Sequence, residues 1–190
     1  PVKQKEYADT VIYFVPKQAA STAPLDTEPK EMKMEKKAYS PRVLPITVGT
    51  EVSFPNFDPI LHNAFSTATN NSFDLGLYAG GDTAAHVFEK PGLVRVYCNV
   101  HHSMVGYILV FDTPYFTSPT SDGEFTLKDL PDVPGQLFIW HPRAKLIKEK
   151  IDLSDVVEQK TFNVELTKRR IPKHKNKEGK SYRKARKKAY

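Results

Sequence analysis

Tyr97-Cys98-Asn99-Val100-His101-His102-Ser103-Met104 contains the only cysteine of the 190-residue chain. The run before it, Leu93-Val94-Arg95-Val96-Tyr97, and the run after it, Tyr107-Ile108-Leu109-Val110-Phe111, are short and β-branched or aromatic, so both read as strands. The segment is therefore a loop between two strands. Its spacing, C-x-x-H-x-x-M, folds the side chains of Cys98, His101 and Met104 toward one point. A thiolate, an imidazole and a thioether together suit copper, which alternates between a soft reduced and a harder oxidised state.

A loop this short cannot supply a ligand from the opposite side. His62, in Phe54-Pro55-Asn56-Phe57-Asp58-Pro59-Ile60-Leu61-His62-Asn63, is the candidate, because it follows a strand and a Pro-rich turn. One thiolate, two imidazoles and a weak axial thioether make the trigonal site of a blue-copper centre. Such a site keeps one geometry in both oxidation states and leaves no open position. It predicts one copper ion per chain that moves electrons, and no enzyme. Each residue also has a plainer role. Cys98 suits a small buried hydrophobe, Met104 core filler and His62 a turn histidine. Separately those roles are easy; together at one strand–loop–strand junction they are a coincidence.

These residues are similar to the ligand segments of the cupredoxin superfamily, and the steps Cys98–His101–Met104 resemble the short ligand loop of amicyanin. The stretch Val52-Ser53-Phe54-Pro55-Asn56-Phe57-Asp58, His62-Asn63-Ala64-Phe65-Ser66, Phe73-Asp74-Leu75-Gly76-Leu77-Tyr78 and Lys90-Pro91-Gly92 resembles the methylamine utilization protein-like cupredoxins of bacteria. The resemblance spans about residues 9–112. It implies a Greek-key β-sandwich, one copper and an exported, periplasmic location. It also implies that Asn63 hydrogen-bonds across to the Cys98 loop and steadies both ligand segments. Related loops often carry proline after the ligand histidine, where this chain has His102, so His102 is a competing ligand. The spacing favours His101, with His102 exposed. His86 and His141 read as surface histidines, with His86 a reserve ligand. Met32 and Met34 read as core or loop methionines, or as a secondary Cu(I) site.

Outside this centre the chain reads as all-β, with fifteen prolines against nine glycines. Residues 1–16 look like a first strand, and 17–41 like a loop or excursion with room for a short helix. The cupredoxin unit is placed at 1–112. Residues 113–119 read as a linker and 113–167 as a second small β-sandwich. Its strands are expected at 121–127, after an Asp122-Gly123 turn, and at 136–140 and 161–166. That unit resembles the carboxypeptidase regulatory-like module, which implies a structural or docking element, either separate or packed on the cupredoxin as one body.

Residues 168–190 form a polybasic tail with twelve Lys or Arg and one acid. Without them the 28 basic residues fall to 16 and the 22 acidic ones to 21, so the remaining body carries −5 against +6 for the whole chain. Any anionic partner belongs to the tail. The tail reads as a solvated, disordered segment or as a contact for anionic lipid or an acidic redox partner. Nucleic acid is disfavoured because no base-reading element accompanies the charge. No stretch approaches the roughly 20 apolar residues of a membrane span. The leading function is a mononuclear copper electron carrier with a cytochrome or similar redox partner, its electron leaving by His101 near Met104 and Val105. The alternative is a periplasmic copper storage or delivery protein that uses the same ligands.

Overall fold

Val11-Ile12-Tyr13-Phe14 sends alternate side chains to opposite faces of a strand, and both faces are buried in the computed structural model, which describes residues 2–18, 24–152, 160–171, 174–178 and 180. A short 3-10 helix, Gln4–Asp9, precedes this strand. The strands are β1 (Val11–Pro16), β2 (Lys30–Glu31), β3 (Lys33–Glu35), β4 (Ala38–Ser40), β5 (Val43–Thr47), β6 (Glu51–Pro55), β7 (His62–Ala68) and β8 (Asn71–Tyr78). They continue with β9 (Thr83–Val87), β10 (Gly92–Tyr97), β11 (Val105–Phe111), β12 (Phe116–Thr117), β13 (Gly135–Trp140) and β14 (Ile147–Ile151). The chain is all-β, as its composition and short apolar runs predict.

The central sheet has the order β5-β11-β10-β7-β8, with β5 parallel to β11 and the other pairs antiparallel. A second sheet, β2-β6-β9, lies over one of its faces. Between them Val52 and Phe54 meet Ile46, Ala64, Val94, Val96, Ile108 and Val110, all nearly or fully buried. Full burial of a side chain such as Ile108 is worth about 1.5–3 kcal/mol. Pro45 is accommodated because β5 is an edge strand.

The other face of the central sheet is covered too. Val43, Val105, Tyr107 and Leu109 pack against Val11 of β1, with Tyr13 and Trp140 beside it. A strand covered on both faces needs no polar alternation, and this explains why β11 reads as an unbroken apolar run. β1 itself belongs to a four-stranded antiparallel sheet, β12-β1-β13-β14. Its Ile12 faces away, onto Leu137 and Ile139.

Several expectations change here. Of residues 1–16 only Val11–Pro16 form the first strand, after the 3-10 helix Gln4–Asp9, and it pairs with β12 and β13. The 113–119 segment contains β12 instead of being a plain linker. The Asp122-Gly123 turn forms, with Gly123 N–H donating to the Thr120 carbonyl at 3.0 Å. Residues 124–127 then run without a ladder partner among the described residues, while Phe125 and Leu127 pack onto Ile12 and Leu137. At 161–166 there is only a bridge between Leu166 and Ala144. β14 carries little strand signal, because Ile147-Lys148-Glu149-Lys150-Ile151 is mostly charged. The 17–41 excursion holds the β3–β4 hairpin, and residues 19–23 of it lie outside the described residues. Among the described residues no helix is long and apolar enough to cross a membrane.

Candidate metal centre

Cys98 follows directly on β10, and the loop after it closes on itself before β11. The Met104 amide donates to the His101 carbonyl at 2.9 Å, and the Cys98 amide to the Met104 carbonyl at 3.4 Å. Cys98 and Met104 are both fully buried in the core between the sheets. From the other side, His62 opens β7. The ladder to β8 is irregular between Asn63 and Phe65. A bulge of this kind re-aims side chains, and here His62, Asn63 and Ala64 are all buried in succession.

His62 Nδ1 lies 3.7 Å from Cys98 Sγ, His101 Nδ1 lies 3.7 Å from the same sulfur, and the two nitrogens are 3.2 Å apart. His62, Cys98 and His101 are near enough to bind a metal, and among the described residues they form the single such group of three. Metal–ligand bonds of about 2.0–2.3 Å place neighbouring donor atoms roughly 3.3–3.8 Å apart, so the triangle fits an ion bound by two imidazoles and a thiolate. Burial depresses the His101 imidazole below its ordinary value, and the neighbouring His62 adds to this. A neutral ring with a free lone pair is what a metal requires.

Asn63 makes the bond expected of it. Its side-chain oxygen accepts from the Asn99 amide at 3.2 Å, and its amide group donates to Asp74 at 2.8 Å and to the Gly76 carbonyl at 2.7 Å. His102 is half-buried rather than exposed and stays outside the cluster. Met32 and Met34 are fully buried core residues. His86 stacks on Phe73 at 4.6 Å and is outside the cluster. His141 is buried, not on the surface, and its Nδ1 accepts from the Arg143 amide at 3.2 Å. Val105 lies under the four-stranded sheet instead of beside His101 at the surface, where the exposed apolar residue is Val100.

Asp58 has no role in the sequence reading, and the tail has one that differs from what the structure shows. Asp58 Oδ2 is 2.7 Å from His62 Nε2, inside a turn where Asn56 Oδ1 accepts from the Asp58 amide at 3.0 Å. Burial pushes the Asp58 carboxyl up, but the Lys37 amide, the His62 ring and the Lys36 amide outweigh it and hold it below the ordinary carboxylate value. The tail is not simply solvated where it is described. Ile171 packs against the central sheet, and the His174 ring stacks on Tyr97 at 4.4 Å. Lys177 donates to Asn99 Oδ1 at 3.0 Å and to Asp74 at 2.7 Å. The Arg183-to-Lys188 basic run lies outside the described residues.

No family model matches the chain, and no curated protein matches it. Among solved structures it is similar to a purple cupredoxin from Nitrosopumilus maritimus, with 31% identity over 43% of this chain and 99% of that one, at a TM-score of 0.39. A copper-containing nitrite reductase from Thermus scotoductus SA-01 matches at 28% identity over 53% of this chain and 25% of that one, at a TM-score of 0.43. A reduced amicyanin variant matches at 21% identity over 53% and 98%, at 0.41. The fold is an all-β sandwich of facing sheets. All three TM-scores are below 0.5, and the chemistry of the site rests on its own side chains.

Proposed function

We propose that His62, Cys98, His101 and Met104 hold one copper ion, and that the protein carries single electrons between redox partners outside the cytoplasm rather than acting as an enzyme. The observation that supports this most is the convergence of one buried thiol and two imidazole Nδ1 atoms within hydrogen-bonding range of each other. Bound copper supplies a one-electron couple between Cu(II) and Cu(I). The protein's part is to hold one geometry for both states. Burial of Cys98 and His62 keeps water from the thiolate. The closed 98–104 loop, tied to β7 by Asn63, resists movement of the ligands. Met104, buried in the same core cluster as Cys98, would supply a weakly held thioether to the ion.

His101 is the least buried of the three clustered ligands, so it is the exit for the electron. The partner is a redox protein such as a cytochrome, and the basic tail suits an anionic surface on that partner or on lipid. Copper storage with extra ligands is less well supported, because Met32 and Met34 are sealed in the core.

The test is a visible and EPR titration of the apo-protein with Cu(II), alongside Cys98→Ser. The expected result is an intense thiolate-to-copper absorption that saturates at one equivalent, bleaches with ascorbate and is absent from the variant. Weak colour of equal strength in both proteins would overturn the proposal.

A further inference from the structure

We infer that Asp58 is the positioning residue of the centre: it fixes the tautomer of His62 and biases the site toward the oxidised ion. The inference rests on the copper reading above. A neutral imidazole has one donor and one acceptor nitrogen, and the bond made by one decides the role of the other. His62 Nδ1 faces Cys98 and His101, while its Nε2 is 2.7 Å from Asp58 Oδ2 with the ring fully buried. An ionised carboxylate only accepts. The proton therefore sits on Nε2, and Nδ1 presents its lone pair to the site.

The carboxylate is held in place independently of any ion. Asp58 Oδ1 accepts from the Lys36 amide at 2.7 Å, and Oδ2 from the Lys37 amide at 2.8 Å. Lys36 and Lys37 are the turn of the β3–β4 hairpin, with φ of 53° and 57°. Two successive residues with positive φ are the signature of a primed hairpin turn, and here that turn aims both N–H groups at one carboxylate. Asn56 closes the other side, accepting from the Asp58 amide and donating to the Ile60 carbonyl at 2.9 Å. A negative charge bonded to the far nitrogen of a ligand imidazole raises its basicity. That favours the doubly charged ion over the singly charged one, so Asp58 lowers the reduction potential.

The first measurement uses the wild-type apo-protein: long-range proton–nitrogen NMR of His62. The expected spectrum is the Nε2–H tautomer, and an Nδ1–H tautomer would overturn the inference. The second compares wild type with Asp58→Asn, which keeps the shape and removes the charge. Affinity for Cu(II) should fall about 10–100-fold and affinity for Cu(I) much less. The potential should then rise by about 59 mV for each tenfold change in their ratio. Equal loss of both affinities, with an unchanged potential, would reduce Asp58 to a structural residue and sink its tuning role. Absence of the thiolate band in wild type would overturn the copper reading and the tuning with it, while the apo spectrum would still decide the tautomer.

Discussion

The side-chain oxygen of Asn63 accepts a hydrogen bond from the Asn99 amide at 3.2 Å, joining the strand that carries His62 to the loop that carries Cys98 and His101. Asn63→Ala breaks that tie together with the bonds to Asp74 and Gly76. Asn63 is buried but its partners are half-buried or exposed, so water can replace it and the loss is about 0.5–1.5 kcal/mol. Urea unfolding should show that loss, and copper should dissociate faster from the variant than from wild type.

Met104 separates packing from ligation. It is fully buried, so Met104→Ala should destabilise by about 2–5 kcal/mol through the cavity it leaves, and Met104→Leu by less than about 1.5 kcal/mol. With the fold intact, the leucine variant should keep the thiolate absorption but shift the reduction potential. An unshifted potential would make Met104 a packing residue only.

Burial pushes the His141 imidazole down to about 4 from its ordinary 6.5, against the pull of Glu6. Between those values the unfolded chain binds the proton and the folded chain does not. Stability from this group is complete above about pH 6.5 and is lost as pH falls through 4. The total is roughly 3 kcal/mol. Denaturant melts at pH 7 and pH 4.5 should show much of this loss in wild type and a flatter profile in His141→Asn.

Gly80 presses on the turn that carries Asp58. A Cβ there would lie 2.3 Å from the Asp58 carbonyl oxygen, which is backbone and cannot swing aside. Gly80→Ala should therefore cost about 1–3 kcal/mol and weaken copper retention, although Gly80 contributes no ligand. Calorimetry and a copper-chelator competition would check both effects.

Ending the chain after Ile171 removes the His174 ring from Tyr97 and the Lys177 bonds to Asn99 and Asp74. The Lys177–Asp74 pair is largely exposed and contributes about 0–1 kcal/mol, so the melting curve should barely move. Reduction by a small neutral quinol should become faster, since the ligand loop is then less covered. An unchanged rate would show that the segment does not limit access.

The convergence of His62, Cys98 and His101 was legible because such residues are few in the chain and chemically distinctive. Cys98, His101 and Met104 are close in sequence, and the flanking runs announce strands. Asp58 was not, since an acid four residues before a histidine has no defined role until the turn at Lys36 and Lys37 arrives from elsewhere in the chain. Alternation at 121–127 does not make a strand, for a related reason. Phe125 and Leu127 satisfy their burial by lying on a sheet, and burial alone does not tell a ladder strand from a packed extended segment. The partner of β1 was equally hidden, because alternation shows that a strand has two faces but not which strand it joins.

β1 has a consequence for how the molecule is made. Its partners Phe138, Ile139 and Trp140 are synthesised more than a hundred residues later, and Val11 fills one face of the central sheet. At about 5–20 residues per second, the ribosome leaves this apolar edge without its mates for roughly 6–25 seconds. The two-sheet body around the cysteine loop can close in that interval, but its outer face stays bare until the last β-hairpin arrives. Contacts so distant in sequence slow folding. The nascent chain thus exposes the apolar segment Val11–Pro16 until β13 is made, so a chaperone that shields residues 11–16 should raise the yield of native protein.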